Sequence, residues 1–265
     1  MSFTDFLFSL PLFTVSFGTF TIIDLLAATT NAFNGALLAR SPSHYRNYTV
    51  VGIILMAFLG GIGGGVSRDV LLNKIPSAFT NPLYVLLCVL AATIALQIHY
   101  RVGQAFRKGL LSFMAAFSLP WYAVVGCDAA LRAGLPALAA IVIGVVGPTA
   151  GRYFIDITSG CTPAHFVRGE WFVGTAVLTS AVYVVCYWSG LSLIPASLIS
   201  FAVGFTFRLT ALHKGWEEPE PTGQPQKPPP PPTQTLGTPK EEFEKLEKAR
   251  KEELEKSGGK TGEQE

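Results

Sequence analysis

Charge is what this sequence has least of. Only 14% of its 265 residues are Asp, Glu, Lys or Arg, whereas soluble domains average about 25%. The shortage is confined to one part, because residues 1–213 hold 17 charged residues and the last 52 residues hold 21. The first part is therefore predicted to be an integral membrane domain, and the second a solvated tail. Since no basic cluster stands on a soluble surface, we expect no nucleic-acid partner.

Motifs of catalysis and metal binding are also missing. The four cysteines are isolated, and no Cys or His pair has the spacing of metal ligands. The segment GIGGGVSRD lacks the Lys-Ser/Thr of a phosphate-binding loop. We therefore expect no catalytic residue, no metal and no cofactor, and we do not expect an enzyme. The apolar run 6–23 has no basic start and no cleavage signal, so it is predicted to stay in the mature protein.

Apolar segments, in contrast, are long and numerous. A bilayer core takes roughly 20 apolar residues as a helix, and on that measure the chain is predicted to be all-α with seven transmembrane spans. The spans are 20–39, 48–72, 81–99, 109–131, 136–157, 170–189 and 191–212. Residues 1–19 form a lead-in, residues 20–213 the membrane domain, and residues 214–265 the tail. Membrane lipid is the expected surrounding partner.

Basic residues in the loops predict the orientation. Eight of them fall on one side of a seven-span arrangement and two on the other, and basic loops stay in the cytoplasm. We therefore predict an outside N-terminus and a cytoplasmic C-terminus. The eight are Arg40, Arg46, Arg101, Arg107, Lys108, Arg168, Arg208 and Lys214.

The tail has two predicted parts. Residues 219–239 contain nine prolines, which favours an extended polyproline-type spacer. The following segment TPKEEFEKLEKARKEELEK has a helix-capping pattern and Glu/Lys pairs four residues apart. A solvated helix or a disordered end is expected there. The sequence does not identify a partner for the tail.

An internal repeat relates the two halves of the membrane domain. At an offset of 87 residues, Asp69 aligns with Asp156, and the same offset aligns a Pro, a Phe and a Gly. Upstream, Gly35 aligns with Gly126 at an offset of 91. The repeats are 20–99 and 109–189, each with three spans, so the second must insert upside down relative to the first. That 3+3 inverted repeat, with a seventh span added, is typical of transport proteins.

Glycine interrupts the second and fifth spans. Residues 60–65 hold five glycines, and each is about 1 kcal/mol less favourable in a helix than alanine. Span five has a matching interruption at Gly144, Gly147, Pro148 and Gly151. Paired interruptions indicate a transport site, because broken helices at membrane depth line water or protein. We therefore expect broken second and fifth helices, with close packing through small residues as the alternative.

The interruptions define a predicted ion path and a set of helix-positioning charges. Asp24, Arg68 and Arg152 are expected to position helices or to gate the path, because charges inside a bilayer face a partner, a bundle interior or water. Arg152 and Asp156 share a helix face, whereas the adjacent Arg68 and Asp69 are each expected to pair with the opposite repeat. The predicted path residues are Gly61, Gly63, Gly64, Gly65, Ser67, Asp69, Gly147, Pro148, Thr149, Gly151 and Asp156.

The segment GIGGGVSRDVLLNKIP, followed by NPLY, resembles the glycine-rich signature of prokaryotic trimeric intracellular cation (TRIC) channels, a domain also described as a glycine-transporter type. The resemblance covers residues 20–216 and includes the closing ALHKGW. In the second repeat GPTAGRYFID departs from the family pattern, with Ile155 where an Arg is usual. The resemblance implies a homotrimer in a prokaryotic plasma membrane, one ion path per protomer along helices two and five, and permeation by potassium or sodium.

Three functions remain open from the sequence. The first is a passive channel for monovalent cations, mainly potassium. The second is a secondary transporter of a small solute such as glycine, because it needs the same broken helices. The third is a membrane anchor whose tail recruits partners, which the proline run 228–232 supports.

Overall fold

The computed structural model describes residues 19–41, 43–44, 46–98 and 104–219. Residues 1–18 of the predicted lead-in, the predicted tail helix and Arg101 lie outside these ranges. Within them, seven main helices follow one another: α1 Thr19–Ala39, α2 Val50–Leu71, α3 Leu83–Gln97, α4 Gln104–Arg132, α5 Ala137–Thr158, α6 Val173–Trp188 and α7 Leu193–Lys214. A short helix, Ser77–Thr80, precedes α3, and a 3-10 turn, Ala164–Phe166, precedes α6.

This architecture confirms the predicted all-helical membrane fold. Helices α1, α2, α4, α5 and α7 are long and apolar enough to cross a bilayer. Helices α3 and α6 are apolar but shorter, with 15 and 16 residues. Each main helix falls on one of the seven predicted spans. Outside the helices, Glu170 and Glu217 form an isolated antiparallel β-bridge.

Small side chains place α1 at the centre of the bundle. Ala27, Ala32 and Ala36 have no solvent-exposed surface, so neighbouring helices approach α1 closely. Helix α1 packs against α2, α3 and α4, and α4 packs against α5, α6 and α7. Helices α2 and α5 also pack against each other, which joins the two repeats.

Matching backbone contacts show the internal repeat in three dimensions. A Cβ atom added to Gly35 would lie 2.6 Å from the Met56 carbonyl oxygen, and one added to Gly126 would lie 2.8 Å from the Ile143 carbonyl oxygen. The glycines are 91 residues apart and the carbonyls 87, which are the two offsets read from the sequence. The first helix of each repeat therefore meets the second helix at an equivalent place.

The breaks expected in the second and fifth helices are absent. Both α2 and α5 are continuous over 22 residues, through the glycines and through Pro148. A continuous helix keeps its backbone groups paired internally, which a bilayer requires. Because glycine has no side chain, the backbones of α2 and α5 can touch. The structure therefore supports close packing, which was the alternative interpretation of the glycines.

Candidate functional site

The centre of the candidate site is the contact between α2 and α5, here called the glycine crossing and formed by Gly60, Gly64, Gly147 and Gly151. A Cβ atom on Gly64 would overlap the Gly147 carbonyl oxygen, and one on Gly151 would lie 2.9 Å from the Gly60 carbonyl oxygen. The contact therefore joins backbone to backbone. Gly60 of α2 lies opposite Gly151 of α5, and Gly64 lies opposite Gly147. Moving forward along α2 therefore means moving backward along α5, so the two helices run antiparallel, as an inverted repeat requires.

A buried ion-pair group, the Arg68 cluster, lies near the C-terminal end of α2. The Arg68 guanidinium donates to both Asp24 carboxylate oxygens at 3.1 and 3.2 Å and to Asp69 Oδ1 at 2.7 Å. Tyr84 donates its hydroxyl to Asp24 Oδ2 at 2.6 Å. The partners of Arg68 belong to its own repeat, so the expectation that Arg68 and Asp69 pair with the opposite repeat is wrong. Neighbouring residues meet because the long Arg68 side chain bends back to Asp69.

The second repeat carries the corresponding Asp156 cluster near the C-terminal end of α5. Asp156 Oδ1 accepts hydrogen bonds from Arg152 Nε at 2.7 Å and from His44 Nε2 at 2.8 Å. The predicted contact between Arg152 and Asp156 on one helix face is thus present. Ser43 lies 2.8 Å from His44 Nδ1, which fits a tautomer with the proton on Nε2.

Both clusters also hold the segment that follows their helix. Asp69 Oδ2 accepts from the Ser77 backbone N–H at 2.8 Å, and Asp156 Oδ2 accepts from the Ala164 backbone N–H at 2.9 Å. In each case the donor lies eight residues after the carboxylate. The two repeats therefore correspond not only in their helices but also in these individual hydrogen bonds.

A cavity of about 680 Å³, the vestibule, opens on the Asp156 side of the crossing. Its charged and polar lining includes Arg40, Arg152, Arg208 and Glu170, with Asn34 at its inner part. A space of about 20 Å³, the neck, shares Asn34 and Arg152 with the vestibule and continues to the crossing. The polar and backbone lining of the neck is Asn31, Asn34, Gly60, Pro148 and Arg152.

Two of the three arginines in the vestibule pair with a carboxylate, and the third, Arg40, donates to backbone carbonyls. Arg40 Nη1 donates to backbone carbonyls at the end of α3, including that of Ala95 at 2.6 Å, where the helix dipole is negative. Arg152 pairs with Asp156, and the buried Arg208 pairs with Glu170 at 2.5 Å. Two of the three positive charges are therefore opposed by a carboxylate, whereas the charge of Arg40 faces carbonyl dipoles. Arg208 keeps two buried donor atoms, Nε and Nη1, without a hydrogen-bond partner among the described residues.

His165 adds a neutral imidazole to the same wall. It stacks edge-on against Phe172, with ring centroids 4.6 Å apart, and both ring nitrogens are buried without a hydrogen-bond partner among the described residues. Burial, together with the charges of Arg152 and Arg208, lowers the pKa of His165 to about 4. His165 is consequently uncharged at neutral pH.

The predicted path residues and helix-positioning residues lie in different parts of the structure. Pro148 and Arg152 line the neck, and Asp24, Arg68, Asp69 and Asp156 form the two clusters. Ser67 and Thr149 donate their hydroxyls to carbonyls of their own helices, Gly63 and Val145, at 2.9 and 2.7 Å. The remaining predicted residues are glycines of α2 and α5, where they make or flank the crossing.

Sequence reasoning missed one residue that the structure brings to this region. His44 reaches Asp156 from a loop 112 residues away in the chain. No local pattern marks His44, because its partner comes from the other repeat. Asn34 and Gly60, which line the neck, carry a signal in the sequence, since Asn34 is a polar residue inside an apolar span and Gly60 is one of the five glycines of the second span.

Known proteins match this chain in sequence and in fold. Residues 21–100 and 112–188 match a family described as "Glycine transporter". A structure of the TRIC trimeric intracellular cation channel orthologue from Rhodobacter sphaeroides is 28% identical, with a TM-score of 0.68, over 74% of this chain and 98% of that one. A UPF0126 membrane protein of Deinococcus radiodurans is 24% identical over 60% of this chain and 72% of its own. The UPF0126 inner membrane protein YadS of Escherichia coli K12 is 22% identical over 72% of this chain and 90% of its own.

Proposed function

Because the chain belongs to the glycine-transporter family and shares the fold of TRIC channels, we propose that it is a passive cation channel. The observation that carries the proposal is the vestibule, which shares Asn34 and Arg152 with a narrow neck at the glycine crossing, where two asparagines lie among apolar side chains. A channel needs an entrance wide enough for hydrated ions and a constriction where protein oxygens replace water. The vestibule and the neck have these two properties.

Potassium is the proposed main permeant ion, with sodium as a second. The neck has room for about one water molecule, so an ion must lose part of its hydration shell there. Potassium loses its shell more readily than smaller cations, and neutral oxygens suffice to replace that water. Asp69 and Asp156 bias the path toward cations, while Arg68, Arg152 and Asp24 position the helices around it.

The proposed assembly is a homotrimer with one path in each protomer. The relative from Rhodobacter sphaeroides is described as trimeric. The proposed location is a prokaryotic plasma membrane, since YadS is an inner membrane protein, with the N-terminus outside and the C-terminus in the cytoplasm. In that orientation the vestibule faces the cytoplasm, because Arg40 in its wall follows α1.

Single-channel recording tests the proposal. Purified protein in planar bilayers is expected to give unitary potassium currents whose reversal potential follows the cation gradient. A matched protein with a large residue at the crossing, Gly64→Leu, is expected to lose those currents. Saturable flux that requires a solute, with no unitary current, would contradict a channel.

A secondary transporter of a small solute such as glycine is the second candidate. The vestibule favours it, because this cavity opens on the Asp156 side of the crossing, and a cavity open to one side is what alternating access requires. The neck itself argues for the channel, since it has no room for glycine without helix movement. Radiolabelled glycine uptake into proteoliposomes separates the two functions, and the channel proposal expects no concentrative uptake.

A further inference from the structure

We propose that the neck is a binding site for one partly dehydrated monovalent cation, held by the side-chain amide oxygens of Asn34 and Asn31. The proposal rests on the channel function and adds the residues that replace the water of the ion. Neither residue belongs to the glycine-rich segments or to the two charged clusters. Both lie on α1 and face the crossing from the first repeat.

Asn34 provides the first oxygen. Its Oδ1 atom is buried and has no hydrogen-bond partner among the described residues. Burying an amide oxygen without a partner is unfavourable, so a water molecule or a cation in the neck would stabilise this atom. Asn34 borders both the vestibule and the neck, which places the oxygen on the route of an entering ion.

Asn31 provides the second oxygen, one helical turn deeper. Its Oδ1 atom accepts a hydrogen bond from Ser118 Oγ at 2.6 Å. An amide oxygen has two lone pairs, so one remains for a cation. The hydrogen bond also holds the amide in place, because Ser118 belongs to α4 and is itself buried.

Size and charge fit a weakly held monovalent ion. The volume of about 20 Å³ admits about one water-sized particle. Arg152 lines the same space, but its charge is opposed by Asp156 at 2.7 Å. Two neutral oxygens beside a compensated ion pair bind an ion loosely, and loose binding is what conduction requires.

Recordings on a matched pair of variants test the role in conduction. Asn34→Leu keeps the size of the side chain and removes the oxygen, so unitary potassium conductance is expected to fall about tenfold. The potassium-to-sodium permeability ratio is expected to move toward one. Thr93→Val is the control and is expected to change neither value, because Thr93 is exposed on α3, bonds to the Val89 carbonyl of its own helix and lines neither the vestibule nor the neck. Unchanged conductance and selectivity in Asn34→Leu would overturn the proposal.

Ion binding in the wild-type protein provides a second test that needs no current and no variant. Crystals grown with thallium(I), which substitutes for potassium, are expected to show an anomalous peak in the neck next to Asn34 Oδ1. A neck that contains only water would overturn the site. If wild-type protein gives no unitary current but shows the thallium peak, the channel function fails while the binding site stands.

Discussion

Replacing Gly64 with alanine tests whether α2 and α5 touch through their backbones. The Gly64 Cα faces the Gly147 carbonyl, and an added methyl group would overlap that oxygen. The neighbouring Gly65 has open space instead, since Arg68 Nη2 at 4.0 Å is the closest atom to an added Cβ. The pair Gly64→Ala and Gly65→Ala therefore makes the same chemical change on the same helix, with and without the crossing.

The expected difference follows from two opposing effects. Alanine is about 1 kcal/mol more favourable than glycine inside a helix, and this gain applies at both positions. At Gly64 the added methyl group also forces the helices apart, and overpacking costs about 1–3 kcal/mol. We use the upper end of this range, about 3 kcal/mol, because a backbone carbonyl cannot rotate away from the added methyl group. We therefore expect Gly64→Ala to destabilise the protein by about 2 kcal/mol, and Gly65→Ala to stabilise it by about 1 kcal/mol.

Equilibrium unfolding in mixed micelles, followed by helical circular dichroism, measures both variants against the wild type. The related Gly151→Ala is expected to lose less stability than Gly64→Ala, because its Cβ would lie 2.9 Å from the Gly60 carbonyl oxygen rather than overlapping it. Unfolding free energies for Gly64→Ala and Gly65→Ala that agree within about 0.5 kcal/mol would refute the crossing. Glycines that break the helix, as the sequence first suggested, would then be the better explanation.

Three further changes have expected outcomes. Arg152→Gln removes a positive charge from the neck and is expected to raise unitary cation conductance, whereas Arg132→Gln, an exposed partner of Asp128, is expected to leave it unchanged. His165 stays neutral when folded and takes up a proton near pH 6.5 when unfolded, so the unfolding free energy is expected to fall by about 3 kcal/mol between pH 6.5 and 4. In His165→Phe the unfolding free energy should fall by about 3 kcal/mol less over the same pH range, because the contribution of His165 is gone while other groups still titrate. Truncation after residue 219 is expected to keep ion flux in proteoliposomes, and loss of flux would instead make the tail part of the function.

The truncation point depends on contacts that only the structure provides. Glu218 donates its backbone N–H to the Gly169 carbonyl at 2.8 Å, and Trp171 Nε1 donates to the Glu217 carbonyl at 3.1 Å. These bonds attach the chain after α7 to the loop before α6. A cut after residue 216 would remove both bonds and confuse loss of the tail with damage to the membrane domain. The compositional change near residue 213 therefore lies slightly before the last of these contacts.

Hydropathy and repetition were enough to predict the helices and their relation. Apolar length identifies a membrane helix because the bilayer fixes how many residues must be buried. The spacing between Asp69 and Asp156 predicted the repeat, and the hydrogen bonds of those carboxylates to Ser77 and Ala164 have the same geometry. Periodic and compositional signals of this kind need no knowledge of which helix faces which.

The contacts between helices could not be predicted from the sequence, for a physical reason. A glycine in a membrane helix can weaken that helix, and it can also let a second helix approach closely. The sequence shows the same glycine in both cases. Which effect dominates at Gly64 depends on Gly147, which is 83 positions away in the chain. The same holds for His44, whose partner Asp156 belongs to the other repeat. Such pairs become visible only when the fold brings them together.

Divergence of the two repeats explains why the vestibule and the neck lie on one side of the crossing. Asn31 and Tyr122 occupy equivalent positions, since the backbone oxygen of Asn31 faces Gly60 and that of Tyr122 faces Gly147. On the first side the small Asn31 leaves the neck open. On the second side the larger Tyr122 is fully buried and donates its hydroxyl to the Gly61 carbonyl. The larger side chain and its hydrogen bond to Gly61 therefore fill on the second side the position that the smaller Asn31 leaves open on the first.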